Sequence, residues 1–134
     1  MKCECSLTVR AYECDSYGHV NNANYLNYLE YARYEFLKSI DFDYPALREA
    51  GYSIYVARIE IDYRKSAFVD DALVIETWPV KKGAVSGTLA QRIRRGDDVI
   101  ADALVTWACV GAAGVPTRLP QAWNAAGLAP ETSV

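Results

Sequence analysis

A short polar segment near the amino end of the chain holds the residues best suited to chemistry. It reads Asp15-Ser16-Tyr17-Gly18-His19-Val20-Asn21-Asn22 and comes directly before a long apolar periodic segment. Asparagine is a preferred helix cap, so a helix is predicted from about Asn22, with Asp15 in the loop just ahead of it. The first turn of a helix carries unpaired N–H groups and a partial positive charge. A carboxylate beside such donors can act as a nucleophile or a general base next to an oxyanion site.

Asp15 has two interpretations when the residues are considered alone. Most loop aspartates before a helix form an Asx turn or compensate the helix dipole, and one carboxylate does not by itself indicate catalysis. The alternative is that Asp15 faces an electrophilic carbonyl group that the helix N–H groups polarise. Gly18 is equally ambiguous, because glycine serves either a turn with positive φ or a close approach of the backbone to a substrate.

The other reactive side chains near Asp15 have simpler interpretations. His19 is the only histidine of the chain. It is a candidate for contact with the reacting centre, although we expect it first to order the loop by hydrogen bonding. Asn21 and Asn22 are interpreted as helix caps. Cys14 is not expected to be a nucleophile, because neighbouring side chains of an extended segment point to opposite sides.

One strand, one long helix and four further strands are predicted to position this segment. Alternation of apolar and polar residues indicates a first strand over residues 6–12, and apolar residues at helical spacing indicate the helix over residues 22–39. A short helical turn over residues 45–50 ends at Gly51. The later strands are predicted over residues 54–63, 72–80, 85–93 and 99–110, with a hairpin turn at residues 95–98. Pro79 is expected at a strand edge or end.

Apolar and aromatic residues occupy most of the circumference of the predicted long helix. They include Leu26, Leu29, Phe36 and the tyrosines Tyr25, Tyr28, Tyr31 and Tyr34. Such a helix is expected to be buried on most sides, so an antiparallel sheet has to wrap around it. The chain is therefore predicted to be a single α+β domain over residues 1–134, with its core at about 6–120. The tail over 121–134 is expected to hold a brief helix near Trp123 and then to fray.

Composition and charge argue against several classes of function. The chain of 134 residues is 51% hydrophobic, which is typical of a globular domain, and its net charge of −3 favours neither nucleic-acid nor membrane partners. No segment has the length of a signal peptide or a membrane span, so a cytoplasmic location is expected. The four cysteines are expected to be free thiols, and the spacing of cysteines and histidine predicts no metal site.

The segment Asp15-x-x-Gly18-His19-Val20-Asn21-Asn22-x-x-Tyr25, with Glu30 and Arg33 further along the helix, resembles the signature of a known enzyme family. That family is the hot-dog-fold acyl-CoA thioesterases, in the 4-hydroxybenzoyl-CoA thioesterase-like branch. Weaker likeness continues through residues 59–63, 71–73 and 118–120, so the resemblance covers roughly residues 6–120. It implies a hot-dog fold of the α+β class, in which a curved five-stranded antiparallel sheet wraps one long central helix.

The resemblance also implies an activity and the roles of particular residues. The chain is expected to hydrolyse acyl-CoA thioesters to free acid and CoA without a cofactor. Asp15 would attack the thioester carbonyl or activate water, while the backbone N–H of about Asn22 polarises that carbonyl. Gly18 would allow the substrate to approach the backbone. Tyr25 and Glu30 would border the acyl pocket, although Glu30 and Arg33 also have the spacing of a helical ion pair.

Basic residues form three clusters that suit the phosphates of CoA. The clusters are Arg58, Arg64 and Lys65, then Lys81 and Lys82, then Arg92, Arg94 and Arg95. Of these, the candidates for CoA contact are Arg64, Lys65, Lys82 and Arg94. Solvated strand faces and turns remain the simpler interpretation of each residue. Because no glycine-rich phosphate loop is present, CoA is expected to lie at the protein surface.

Self-association is expected for two reasons. One helix against one sheet leaves a sheet edge or face unprotected, and the resemblance implies a homodimer, in some members a tetramer, with the site between subunits. Two alternatives to an acyl-CoA thioesterase stay open, namely an acyl-carrier-protein thioesterase and a non-catalytic module that binds acyl ligands on the same fold. The complete motif around Asp15 favours an enzyme, because a binding module has no physical need for that carboxylate. The acyl group, aromatic or aliphatic, is not specified.

Overall fold

The computed structural model describes residues 2–130, in which five antiparallel strands and one long helix dominate. The strands are β1 (Cys3–Thr8), β2 (Ser53–Tyr63), β3 (Ala72–Lys82), β4 (Ser86–Arg95) and β5 (Asp98–Val110). The helices are α1 (Asn22–Ser39) and the short α2 (Tyr44–Glu49), with 3-10 turns at Ala11–Glu13, Gln121–Trp123 and Ala126–Leu128. The predicted α+β arrangement of one central helix and a five-stranded sheet is confirmed.

The sheet has the strand order β1-β3-β4-β5-β2, so β1 and β2 are its edge strands. Alternate side chains along each strand face α1. Ile93 pairs with Ile75 on one side and with Ala101 on the other, and all three are almost completely buried. Gly96, with a φ of 60°, forms the tight turn between β4 and β5.

Helix α1 begins and ends at the predicted residues. The side chain of Asn21 caps it, since its Oδ1 accepts the N–H of Ala23 at 2.9 Å. One face of α1 is buried against the sheet, and that face consists of Tyr25, Tyr28, Leu29, Ala32 and Phe36.

The opposite face of α1 is open in this single chain. Leu26, Tyr31 and Tyr34 are 38%, 44% and 55% exposed. The expectation that the helix is buried on most sides is therefore wrong for one chain, because the sheet covers only one face. Aromatic residues on both faces concealed this amphipathic arrangement in the sequence.

Strand β1 is shifted toward the amino end relative to the prediction of residues 6–12: it begins at Cys3 and ends at Thr8. It pairs with β3 as far as Thr8, after which the chain enters the 3-10 turn Ala11–Glu13. Glu13 stabilises this turn, because its Oε1 accepts the N–H of Arg10 at 2.8 Å. The apolar alternation at Val9 and Ala11 thus continues beyond the strand itself.

Pro79 lies in β3 beyond the last residue of β3 that β1 covers, which is Thr77. The register between β3 and β4 also shifts between Pro79 and Lys81. A residue without an N–H is tolerated at such an uncovered and irregular position. The expectation of a strand edge or end is met only locally: β3 is an interior strand that continues to Lys82, but β1 does not pair with it at Pro79.

The tail after Pro120 packs back onto the core as far as residue 130. Nε1 of Trp123 donates to the carbonyl of Asp43 at 3.0 Å, and Leu128 is buried. Gly127 lies against Ile40 so closely that an added Cβ would come within 2.5 Å of it. The brief helix near Trp123 is confirmed as a 3-10 turn. The prediction of fraying is wrong through residue 130, and residues 131–134 lie outside the described part of the chain.

The described residues include no helix long and apolar enough to cross a membrane. All four cysteines carry free thiols. Burial raises the pKa of Cys5 to about 11, so this thiol is mostly protonated at neutral pH. It is accordingly a weak nucleophile.

Candidate active site

The loop that carries Asp15 is closed by backbone hydrogen bonds between its two limbs. The N–H of Asp15 donates to the carbonyl of His19 at 2.8 Å, and the N–H of Gly18 donates to the carbonyl of Asp15 at 3.0 Å. Gly18 has a φ of 82°, and no atom lies within 4 Å of the position that a Cβ would take. The left-handed turn therefore accounts for this glycine within the protein itself.

The Asp15 carboxylate both holds the loop and borders a cavity. Its Oδ1 accepts the N–H of Tyr17 at 2.9 Å, which is the Asx turn expected of a loop aspartate. Asp15 is exposed and lines a cavity of about 180 Å³. Its Oδ2 has no hydrogen-bond partner within residues 2–130. One oxygen thus stabilises the turn, and the other remains available to a ligand.

The cavity beside Asp15 brings together six of the predicted site residues. They are Asp15, His19, Asn22, Tyr25, Arg64 and Lys65, and the cavity is completed by Val20, Tyr63 and Ser66. The loop, the first turn of α1 and the end of β2 therefore meet at one place. Of the remaining candidates, Gly18 lies in the loop itself, while Glu30, Lys82 and Arg94 do not line this cavity.

The first turn of α1 has an open hydrogen-bond donor at Asn22, a residue that lines this cavity. The N–H of Asn21 donates to the carbonyl of Glu13 at 2.9 Å, and the N–H of Ala23 is taken by the cap. The N–H of Asn22 has no acceptor anywhere in the described chain. Because the helix N-terminus also carries a partial positive charge, this N–H can stabilise a developing oxyanion.

Two tyrosines connect the helix to the strands around the cavity. The Tyr25 hydroxyl accepts the N–H of Ala67 at 3.1 Å, and burial raises its pKa. The Tyr63 ring lies 5.3 Å from that of Tyr25, and its hydroxyl donates to the carbonyl of Asn22 at 3.3 Å. Tyr63 was not anticipated from the sequence, because its role depends on β2 ending beside the start of α1.

The imidazole of His19 packs edge-on against Phe68, with 5.2 Å between ring centroids. It makes no hydrogen bond to Asp15, so the residues described contain no Asp–His dyad. The carbonyl of His19 orders the loop through its bond from Asp15. The neighbouring Cys14 does not line the cavity, and burial together with the Asp15 charge raises the pKa of its thiol.

The basic candidates differ in their positions and partners. Nε of Arg64 lies 2.9 Å from Oδ2 of Asp102, and Nζ of Lys65 lies 2.7 Å from Oδ1 of Asp98. These two cations border the Asp15 cavity while already being paired. Lys82 and Arg94 lie elsewhere: the first bonds to the carbonyl of Gly83 at 2.8 Å, and the second to Glu76 at 2.7 Å.

A second cavity, of about 540 Å³, lies beside the later turns of α1. Its walls come mainly from α1, the segment after it, the beginning of β2 and β5, and they include Tyr34, Phe42, Ile54, Val105 and Trp107. Glu30 and Arg33 line it as well. These two residues form no ion pair within the described chain, and Nη1 of Arg33 instead donates to Oε1 of Gln91 at 3.1 Å.

Comparison with known proteins decides the family. The sequence profile of the thioesterase-like superfamily matches residues 9–127. This chain belongs to the thioesterase-like superfamily. It is therefore a thioester hydrolase, and the resemblance found at the Asp15 motif extends over nearly the whole chain.

Relatives of this thioesterase cover most of its length. The long-chain acyl-CoA thioesterase FadM of Escherichia coli is 36% identical over 106 residues, which are 78% of this chain and 80% of that protein. The acyl-CoA thioesterase YbgC of Haemophilus influenzae is 32% identical over 108 residues, 78% of this chain and 79% of that protein. The crystal structure of a probable thioesterase from Bartonella henselae superposes with a TM-score of 0.84 at 27% identity, covering 90% of this chain and 100% of that one. The predicted hot-dog fold is confirmed.

The sequence also gave little indication of Glu13, a buried residue of this thioesterase that lies next to the Asp15 loop. Only 4% of Glu13 is exposed, although it is charged and precedes Asp15 by two positions. Its spacing of three residues from Arg10 is the one local signal, since such a pair can form an ion pair across a helical turn.

Proposed function

We propose that this protein hydrolyses acyl-CoA thioesters to the free acid and CoA, with Asp15 as the catalytic carboxylate. The observation that carries the proposal is that Asp15 and Asn22, whose N–H is open, line one cavity in a member of a thioesterase family. The choice of acyl-CoA is supported by two relatives whose names specify it.

In the proposed reaction, the carbonyl carbon of the thioester lies beside Asp15, and its oxygen accepts the N–H of Asn22. Asp15 either attacks that carbon, which gives a mixed anhydride that water then hydrolyses, or removes a proton from the attacking water. Both routes consume one water molecule and release a carboxylic acid and the CoA thiol. A thiolate leaves readily because the pKa of a thiol is about 8.5, so strong acid assistance is not required.

The acyl group is proposed to occupy the larger cavity along α1. Residues of both α1 and β2 line each cavity, with Tyr63 of β2 beside the first and Ile54 and Val56 beside the second. The volume of about 540 Å³ is in the usual range for small-molecule sites. Aromatic and aliphatic side chains form most of its wall, which suits an uncharged aliphatic or aromatic acyl group.

A homodimer is proposed on the basis of the surface around β2 and the open face of α1. β2 pairs only with β5, so its other edge is unpaired within residues 2–130. Tyr55 and Val56 on β2 are 58% and 46% exposed, and Tyr34 on α1 is similarly open. A second copy would cover the strand edge and the exposed aromatic surface together.

The test of Asp15 is hydrolysis of a panel of aliphatic and aromatic acyl-CoAs by wild type, Asp15→Asn and Asp97→Asn. Asp97 is an exposed aspartate in the turn between β4 and β5, so its substitution controls for the loss of a surface carboxylate. Asp15→Asn is expected to lower kcat roughly 1,000-fold or more while the protein stays folded. Turnover near the wild-type rate in folded Asp15→Asn would refute the assignment.

The carrier and the role of the carboxylate need separate measurements. Parallel assays with acyl-CoA and the same acyl group on acyl carrier protein decide the carrier, and a higher kcat/KM for the carrier protein would contradict the proposal. A single turnover in ¹⁸O-labelled water tests for nucleophilic attack. Label found in the Asp15 carboxylate indicates that an anhydride formed and was opened at its aspartyl carbonyl.

A further inference from the structure

Glu13 carries a buried carboxylate with an unusually complete set of partners. Its Oε1 accepts the N–H of Arg10 at 2.8 Å and the hydroxyl of Tyr28 at 2.8 Å. Its Oε2 accepts Nε and Nη2 of Arg10 at 3.1 and 2.6 Å. Tyr28 belongs to the buried face of α1 and is only 2% exposed. Glu13 therefore connects the base of the Asp15 loop to the central helix.

We propose that Glu13 is a positioning residue, which holds Asp15 in register with the first N–H group of α1. The inference rests on the proposed function of Asp15. Glu13 does not line the Asp15 cavity, so it acts through the loop and not on the substrate.

Three successive contacts link Glu13 to Asp15. The carbonyl of Glu13 accepts the N–H of Asn21 at 2.9 Å. Cys14 pairs with Val20 in an antiparallel bridge, and the N–H of Asp15 then donates to the carbonyl of His19 at 2.8 Å. The loop is thus a short antiparallel ladder of backbone pairs. Its first pair joins Glu13 to Asn21, the residue that caps α1. Any movement of Glu13 relative to α1 changes the position of Asp15 relative to Asn22.

The groups around Glu13 stabilise its charged form. Burial alone would raise its pKa, but hydrogen bonds from the side chain and backbone of Arg10 and from Tyr28 outweigh it, so its pKa lies below the ordinary value. In Glu13→Gln, the side chain keeps only one acceptor oxygen, and its NH₂ group is a donor. This donor would face the donor groups of Arg10 or Tyr28, so that at least one hydrogen bond is lost. The loop is then expected to shift or loosen, and a displacement near 1 Å at a catalytic group can cost about 100-fold in rate.

If Glu13 only stabilised the fold, loss of a comparable buried ion pair elsewhere would lower kcat equally. The chain offers such a matched control. Glu76 in β3 is also buried, at 8% exposed, and its Oε1 accepts Nε of Arg94 at 2.7 Å. It makes no contact with the Asp15 loop. Glu76→Gln therefore removes a similar buried ion pair without disturbing the ladder.

The experiment compares Glu13→Gln, Tyr28→Phe, Glu76→Gln and Asp15→Asn with wild type. We measure kcat, KM, thermal midpoint and amide hydrogen exchange over residues 10–22, using the best acyl-CoA of the panel. Glu13→Gln is expected to lower kcat about 10- to 100-fold with KM within about twofold, and Tyr28→Phe to lower it less, because each loosens the loop. Exchange at Asp15 and Asn21 is expected to accelerate in both variants and not in Glu76→Gln.

The outcomes separate this inference from the proposed function. If Asp15→Asn retains turnover, the proposed function fails, whatever the other variants do. If Asp15→Asn is inactive while folded Glu13→Gln keeps a kcat within twofold of wild type, only the positioning role is overturned. Should Glu13→Gln not fold, Tyr28→Phe decides: wild-type kcat and wild-type exchange over residues 10–22 overturn the inference. A fall in kcat in Glu76→Gln equal to that in Glu13→Gln also overturns it.

Discussion

Nε of Arg64 lies 2.9 Å from Oδ2 of Asp102, so a cation at the rim of the Asp15 cavity is already bound by a carboxylate of β5. Arg92 contacts the other oxygen of Asp102 at 2.7 Å. Although burial favours the neutral acid, hydrogen bonds from Arg92 and Arg64 hold the pKa of Asp102 below its ordinary value. A phosphate at Arg64 has to compete with this carboxylate. Lys65, whose partner Asp98 is half exposed, is the easier cation to recruit.

Lys65→Gln is therefore expected to raise KM for acyl-CoA about three- to fivefold, since an exposed ion pair contributes up to about 1 kcal/mol. The kcat is expected to change less than KM, because Nζ of Lys65 is held by Asp98 and Lys65 has no part in the proposed reaction at Asp15. Lys38→Gln removes the same charge at the distant end of α1 and serves as the control. Added salt is expected to raise KM for acyl-CoA more than for a truncated acyl-pantetheine thioester. Equal salt responses for the two substrates would indicate that Lys65 is only solvated surface.

The lowered pKa of Glu13 predicts a particular dependence of stability on pH. An unfolded glutamate has a pKa near its ordinary value of 4.5, so the unfolded state binds the proton first as the pH falls. The stabilisation by Glu13 is complete above that value and is lost as the pH falls below it through the folded-state pKa. Urea unfolding of wild type and Glu13→Gln from pH 7 to pH 3 measures the effect. The two curves are expected to converge at low pH, and parallel curves would contradict the prediction.

Gly87 makes room for Trp107, which lies opposite it on β5 and lines the larger cavity. A Cβ at Gly87 would lie 2.7 Å from Cζ2 of Trp107. Gly87→Ala is expected to lower the free energy of unfolding by about 1–3 kcal/mol and to displace the indole. The preference among acyl-CoAs should then shift toward shorter chains. Gly83→Ala is the control, because its Cβ would meet only the Ser86 carbonyl at 3.4 Å. Unchanged stability and chain-length preference in Gly87→Ala would refute this prediction.

Light scattering of the purified protein is expected to give at least twice the chain mass of 14.9 kDa. Tyr55→Lys is expected to weaken the dimer about tenfold or more, since it places a charge on the exposed surface of β2. Tyr12→Lys alters an even more exposed tyrosine, at 79%, on the 3-10 turn before the Asp15 loop. It should leave the dimer intact. A stable monomer at micromolar concentration would rule out the proposed assembly.

Local signals were sufficient where a structural feature is determined within a few residues. α1 has the predicted bounds because its cap, Asn21, and its apolar spacing are both contained in the segment itself. The same holds for the loop, where the Asx turn at Asp15 and the positive φ at Gly18 involve only their immediate neighbours. The meeting of Asp15, Asn22 and Tyr25 in one cavity follows from this local geometry.

Features that depend on distant contacts could not be predicted in this way. β1 ends at Thr8 because the next residues serve a turn whose carboxylate, that of Glu13, is held by Tyr28 on α1. The basic residues looked alike in the sequence. Only Arg64 and Lys65 border the cavity, because the end of β2 reaches the start of α1.

The two cavities have no lining residue in common. In the proposed function, the loop and the first turn of α1 act on the thioester bond, whereas the residues around the larger cavity determine the size of the acyl group that fits. A gene encoding this fold can therefore accumulate substitutions around the larger cavity without altering the proposed reacting groups. Duplicated copies could diverge toward different metabolites while retaining one common chemistry.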